Sequence, residues 1–125
     1  MDLKEFNDLI DLGRVTRTVK VAGRDIRMHT LDSSEYAKMT ERLGDDNISM
    51  GRRLESLQRE VLASAIDSID EKSISLEDKS KLVGQFQVGF SNLLYDEYGK
   101  MVEEQAKILE ESKKNSAQTM TGSPT

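Results

Sequence analysis

One histidine, no cysteine and one adjacent pair of loop acids are the residues of this 125-residue chain most obviously placed for chemistry. Nucleophilic catalysis needs a nucleophile beside a base, and without cysteine there is neither a thiolate nor a sulfur metal site. His29 falls on the expected polar face of a strand next to Arg27 and reads as an ordinary surface histidine. Asp45 and Asp46 lack the alternating oxygen ligands and glycine turn of a calcium loop, so they read as loop solvation. The carboxylates of "ESLQRE" and "EEQAKILEE" lie on solvated helix faces. The scattered glycines form neither a phosphate-binding loop nor a dinucleotide fingerprint, and "GQFQVG" falls within a helical pattern where glycine lets another helix approach. The expectation is a non-enzymatic protein with no metal and no cofactor.

Charge points elsewhere. Residues 14 to 31 carry Arg14, Arg17, Lys20, Arg24 and Arg27 against Asp25 alone, a segment of +4 in a chain whose net charge is −5. Such asymmetry can attract a partner, or a second copy in a homo-oligomer. Nucleic acid is disfavoured, because the isoelectric point is about 5.0, tryptophan is absent and the segment has no aromatic residue on which a base could stack. Two readings stay open for the basic segment: a solvated strand face, or a surface that docks on an acidic protein.

The elements that would position these charges follow from periodicity. Leu3, Phe6, Leu9 and Ile10 share one face of a short lid or docking helix that Gly13 ends. Val15, Val19 and Val21 then alternate with Thr16, Thr18 and Lys20, and Ile26 and Met28 with Asp25, Arg27 and His29, around a turn at Ala22-Gly23-Arg24. That predicts a β-hairpin over 14–31 whose apolar face must rest on helices or pair with another chain.

Asp32 and Glu35 have capping-box spacing, with Gly44 at the far end of the helix and Tyr36, Met39 and Leu43 as its stripe. Leu54, Leu57, Val61, Leu62, Ala65, Ile66 and Ile69 predict a second helix. Ser75 caps a third and longest, with a stripe that runs from Leu82, Phe86 and Phe90 through Tyr98 and Met101 to Leu109. Tyr95, Tyr98 and Met101 read as core or as an exposed aromatic anchor.

The predicted fold is α+β and mostly α: an N-terminal β-hairpin, a small bundle of three helices with the last one long, and a disordered C-terminal tail. The expected domain is 1–112, with the helical region over 32–112. Residues 113–125 lack an apolar period and read as a flexible tail that is frayed or orders on a partner. No stretch approaches the ~20 apolar residues of a membrane helix and no secretory leader is evident, so a cytoplasmic protein is expected.

Taken in order, the short helix, "VTRTVKVAGRDIRMHTL", "DSSEYAKM", "REVLASAIDSID" and "NLLYDEYGKM" resemble the tail assembly chaperones of tailed bacteriophages, and the closely similar small baseplate or hub assembly proteins. Many of these carry glycine after the "SID"-like triplet, where this chain has Glu71. The resemblance covers roughly residues 13 to 110. It implies a chaperone, in the host cytoplasm, of the aggregation-prone tape-measure protein until tail tube subunits polymerise. The alternatives are a baseplate or tail component retained in the virion and a host-directed adaptor. Under this reading the partner-binding residues are Arg17, Val19, Lys20, Val21, Arg24, Ile26, Arg27 and Met28 of the ribbon, with Tyr95, Tyr98 and Met101 on the last helix.

Overall fold

The computed structural model describes residues 2–44 and 50–122, and the side chains of 50–54 and 116–122 are outside that description. Asp45, Asp46 and the Leu54 side chain therefore lie beyond the described part. The chain is mostly helical, with an N-terminal antiparallel hairpin and a long final helix, as its periodicity predicts. A 3₁₀ turn at Leu3–Phe6 leads into α1 (Asn7–Ile10), followed by β1 (Thr16–Val21), β2 (Arg24–His29) and α2 (Ser33–Leu43). Then come α3 (Met50–Ala65), β3 (Ile66–Ile69), β4 (Lys72–Ser73), α4 (Leu76–Gly84) and α5 (Val88–Gly122). The stretch expected as a tail, 113–125, thus begins in the last turns of α5 and ends outside the described residues.

The hairpin closes on a two-residue turn. Ala22 and Gly23 both have positive φ, 53° and 78°, the pair of values a type I′ turn requires. This turn matches the twist of the strands and sets the pairing of Val21 with Arg24, Val19 with Ile26 and Arg17 with Met28. Side-chain alternation then turns Arg17, Val19 and Val21 towards the helices and Thr16, Thr18 and Lys20 outwards.

At the root of the hairpin Gly13 has a φ of 82°, and a Cβ there would stand 3.0 Å from Leu109 of α5. Glycine is thus needed twice over, for the turn and for the approach of the helix.

The hairpin does not stand alone. β2 pairs with β3, and β3 with β4, giving a four-stranded antiparallel sheet in the order β1-β2-β3-β4. The sequence pattern predicts helix through Ile69, but α3 stops at Ala65. Ile66 and Ile69 fit a helical stripe and a strand equally well, and the free edge of β2 supplies the partner that decides for strand. The second turn, Asp70-Glu71, again has two positive φ values, 52° and 67°, this time without glycine.

The last predicted helix is also divided. α4, capped by Ser75 through the amide of Asp78, ends at Gly84, and α5 restarts at Val88. Phe86, in the elbow between them, packs its ring 4.6 Å from that of Phe90.

The core lies between the inner face of the sheet and α3, α4 and α5. Val15, Ile26, Met28, Leu62, Ile66, Val83, Leu94 and Met101 form it, with Val19, Ile69, Phe86, Phe90, Tyr95 and Ile108 packed around them. The α1 region does not join it: Leu3, Leu9 and Ile10 are each over 60% exposed, and Phe6 and Leu12 over 40%.

Candidate protein-binding groove

The basic residues of the hairpin meet acids of the same chain. Arg17 points inward and holds Glu104 of α5 at 2.6 Å, with Glu97 at 4.0 Å. Arg24 pairs with Asp70 at 3.0 Å, while Lys20 and Arg27 stand 4.0 Å from Asp25 and Asp67. Pairs this exposed contribute roughly 0–1 kcal/mol each. Their effect is orientational: Arg17 sets the ribbon on α5, and Asp70 ties the two hairpins together by also accepting the Asp25 amide at 2.9 Å.

The resemblance puts four apolar ribbon residues at a partner surface. Ile26 and Met28 are instead core residues, 3% and 0% exposed, because α3 and α5 cover the inner face of the sheet. Val19 is partly buried against the same cluster. Val21 lies at the uncovered tip.

On α5, Met101 is fully buried and so is not an exposed anchor. The Tyr98 hydroxyl accepts a hydrogen bond from the Leu31 amide at 3.3 Å, and its ring lies beside Tyr95. Burial raises the Tyr98 phenol above its usual range, with the Leu31 amide opposing in part. Tyr98 joins the root of the hairpin to α5, and Tyr95 packs against the core cluster.

At the tip, where the hairpin extends beyond this cover, lies an apolar groove of about 490 Å³. Val21, Ala22, Arg24 and Ile26 form one side, Ile69 continues it, and Leu82, Phe86 and Phe90 close the other. Each element has its reason to be there: the type I′ turn extends β1 and β2, the end of α4 places Leu82, and the break before α5 swings Phe86 towards Phe90. Among the described residues Arg24 is the only charged side chain in the lining, and its own side chain, paired with Asp70, is 69% exposed. The groove is of the size and character that take a few large apolar side chains with one fixed charge for orientation. Of the expected binding residues it brings together Val21, Arg24 and Ile26. Ile69, Leu82, Phe86 and Phe90 stand in the sequence only as helix stripe; the signal for them is the glycine-bracketed "GQFQVG", which marks an interruption of the helix.

A second hollow, on the outer face of the sheet, is polar. Arg27, Asp25, Asp67 and Glu71 line it together with Arg14, so its charges already face one another.

His29 is not the surface residue its strand parity predicts. It is 5% exposed, with Nε2 at 2.7 Å from Glu35 and Nδ1 at 2.6 Å from Asp67. The second contact is close but poorly directed, and Nδ1 gains no hydrogen bond from it. Two local features account for this burial. The chain turns at Thr30–Asp32 so that Glu35 of α2 comes over the strand end, and the register shift opposite Arg27 and Met28 leaves Asp67 as an extra residue of β3.

Around this site Lys79 donates to the Ile66 carbonyl at 2.7 Å, and Arg42 pairs with Glu60 and donates to Ser64. Burial lowers the Lys79 ammonium below its usual range despite the opposing pull of Asp67 and Glu35. The cluster ties β2, α2, α3, β3 and α4 together.

Among the described residues there is no group of three or more histidine or carboxylate ligands that could hold a metal ion, and no helix long and apolar enough to cross a membrane. Comparison with protein-family models, curated proteins and solved structures finds no match to this chain.

Proposed function

We propose that this chain is a non-enzymatic binding protein of phage tail morphogenesis, which holds an amphipathic helix of the tape-measure protein in the groove at the hairpin tip. The observation that carries the reading is the groove itself: an apolar trough on the edge of the core, which shares Ile26, Ile69, Phe86 and Phe90 with it, and in which Arg24, paired with Asp70, is the one charged lining residue among those described. A helix laid there would present apolar side chains at i, i+3 and i+4, and a carboxylate on it would compete with Asp70 for Arg24. Repetition of such modest contacts along a long partner would provide avidity while leaving each contact reversible. The element order that resembles tail assembly chaperones supplies the partner class.

The test is recovery of tagged protein from phage-producing cells, with and without Val21→Glu in the groove, followed by a search for the chain in finished particles. Recovery of the tape-measure protein that falls with Val21→Glu, with no chain in particles, supports a chaperone. Absence of any phage protein among the partners retires the phage reading in favour of a host-directed adaptor.

A second reading, a baseplate or tail component retained in the virion, is favoured by β1. It lies at the edge of the sheet, so that its outer backbone groups could extend a neighbour's sheet. Stoichiometric presence in particles would select it.

A further inference from the structure

The exposed side of α5 carries a row of charges that is complementary to itself when reversed. Asp96, Lys100, Glu103, Lys107, Glu110 and Lys114 follow one another at four and three residues, all exposed, so acid and base alternate along one flank of the helix. Lys100 is held by Glu97 at 3.2 Å. The others have no ion-pair partner among the described residues, although Glu103 and Lys107, and Glu110 and Lys114, are spaced for pairs within the helix. Beside this row runs an apolar seam of Gly99, Val102, Ala106 and Leu109, also exposed and at coiled-coil spacing. At Gly99 a Cβ would meet nothing within 4 Å, so the seam has an open notch there.

Two copies of α5 laid antiparallel about Gln105 bring these features together. Asp96 then faces Lys114, Lys100 faces Glu110 and Glu103 faces Lys107, each pair made twice by the two-fold axis. Leu109 of one copy falls beside Gly99 of the other, and Val102 beside Ala106. A parallel pair in register sets every charge against its own kind. The α1 region, equally apolar and exposed, has no such self-complementarity: Asp2, Glu5, Asp8 and Asp11 stand against Lys4 alone, so two copies of it repel.

We infer that α5 pairs antiparallel with α5 of a second copy, giving a closed two-fold dimer through residues 96–114. The inference goes beyond the proposed function and does not rest on it, because Phe90, the groove residue on α5, packs against the core on another side of the helix. A dimer offers two grooves to one long partner.

Sedimentation of the full chain across the micromolar range tests the inference with two double variants at exposed sites. Glu103→Lys with Glu110→Lys, and Lys107→Glu with Lys114→Glu, each set like charges against one another and are expected to weaken the dimer at least about tenfold. Mixed together they are expected to restore it, because one row is then mostly basic and the other mostly acidic. Orientation is read by cross-linking, since the chain has no cysteine of its own. Asp96→Cys mixed with Lys114→Cys is expected to join through a short bismaleimide. Asp96→Cys alone is not, because in the antiparallel pair its two copies are separated by the whole span from 96 to 114, about 27 Å of helix. The cross-link needs no charge reversal, so it decides the matter if circular dichroism shows a reversed variant unfolded.

A wild-type chain that stays monomeric, a dimer indifferent to both reversals, a mixture that stays monomeric, or Asp96→Cys that cross-links alone would each overturn the inference. Val21→Glu in the groove is expected to leave the dimer intact, and loss of the dimer there would overturn the inference by moving the contact to the groove. A monomer that still recovers tape-measure protein through Val21 leaves the proposed function standing without the dimer. A dimer that recovers none leaves the dimer standing without the proposed function.

Discussion

Replacing Glu71 with glycine should stabilise this protein. Glu71 is the second residue of the turn between β3 and β4, with a φ of 67°, in a region where an L residue costs roughly 1–2 kcal/mol from the approach of Cβ to the backbone. Glycine removes that cost but gives back roughly 0.5–1 kcal/mol through the greater freedom of the unfolded chain. The net expectation is a gain of roughly 0.5–1 kcal/mol. For a chain of this length that is a rise of about 2–5 °C in Tm. Asp70 should stay, because its carboxylate holds Arg24 and the Asp25 amide. Urea unfolding would measure the gain as a higher midpoint at unchanged slope. Glu71→Ala is the control, since it removes the same exposed carboxylate and keeps the Cβ. A Glu71→Gly protein no more stable than wild type would refute the strain argument. Equal stabilisation by Glu71→Ala would move the cause to charge.

Arg17→Ser removes the contacts to Glu104 and Glu97 and should cost under about 1 kcal/mol, with the difference from wild type shrinking as salt rises in urea titrations. His29→Ala leaves two partly buried carboxylates facing a gap and should cost about 1–3 kcal/mol by equilibrium unfolding; a cost near zero would remove the histidine from the account of how β2, α2 and β3 are joined. The Tyr98 phenol is raised by burial, so above about pH 10 the unfolded chain loses a proton that the folded chain keeps, and stability should fall as pH rises there. Tyr98→Phe should flatten that fall in unfolding measured between pH 9 and the upper end of the phenol titration. Lys79 is lowered, so just below the ordinary lysine range the unfolded chain binds more protons and stability should climb with pH; Lys79→Met should abolish that climb.

Local signals in the sequence carried a good part of this fold. The Asp32–Glu35 capping box forms in both directions, at 2.8 Å and 3.0 Å, and Ser75 caps α4, because these bonds depend only on neighbours three residues apart. The hairpin register follows from alternation and a glycine turn. Tertiary choices were not legible. Ile66 and Ile69 suit either period, and only the edge of β2 makes them a strand. The elbow at Gln85–Gln87 is set by Phe86 packing on Phe90, a contact that a continuous stripe conceals. His29 is covered by two acids that arrive from α2 and from a register shift in β3, neither of which its own neighbours announce. The groove combines both kinds of signal: its hairpin side was legible as Val21, Arg24 and Ile26, whereas its far side exists only because the last helix is broken.

Glu35 holds two bonds with one carboxylate. Oε1 accepts the Asp32 amide that starts α2, and Oε2 reaches the His29 ring at the end of β2. The first turn of a helix is its costly step, and here the group that closes that turn is oriented by a strand residue. The first turn of α2 and the end of β2 are therefore coupled through one carboxylate. A peptide of residues 30–44, although it carries a complete capping box, lacks the imidazole that holds the carboxylate in place and should be less helical than its termini suggest. In the intact chain α2 and the end of β2 should exchange their amide protons together, as a single opening unit.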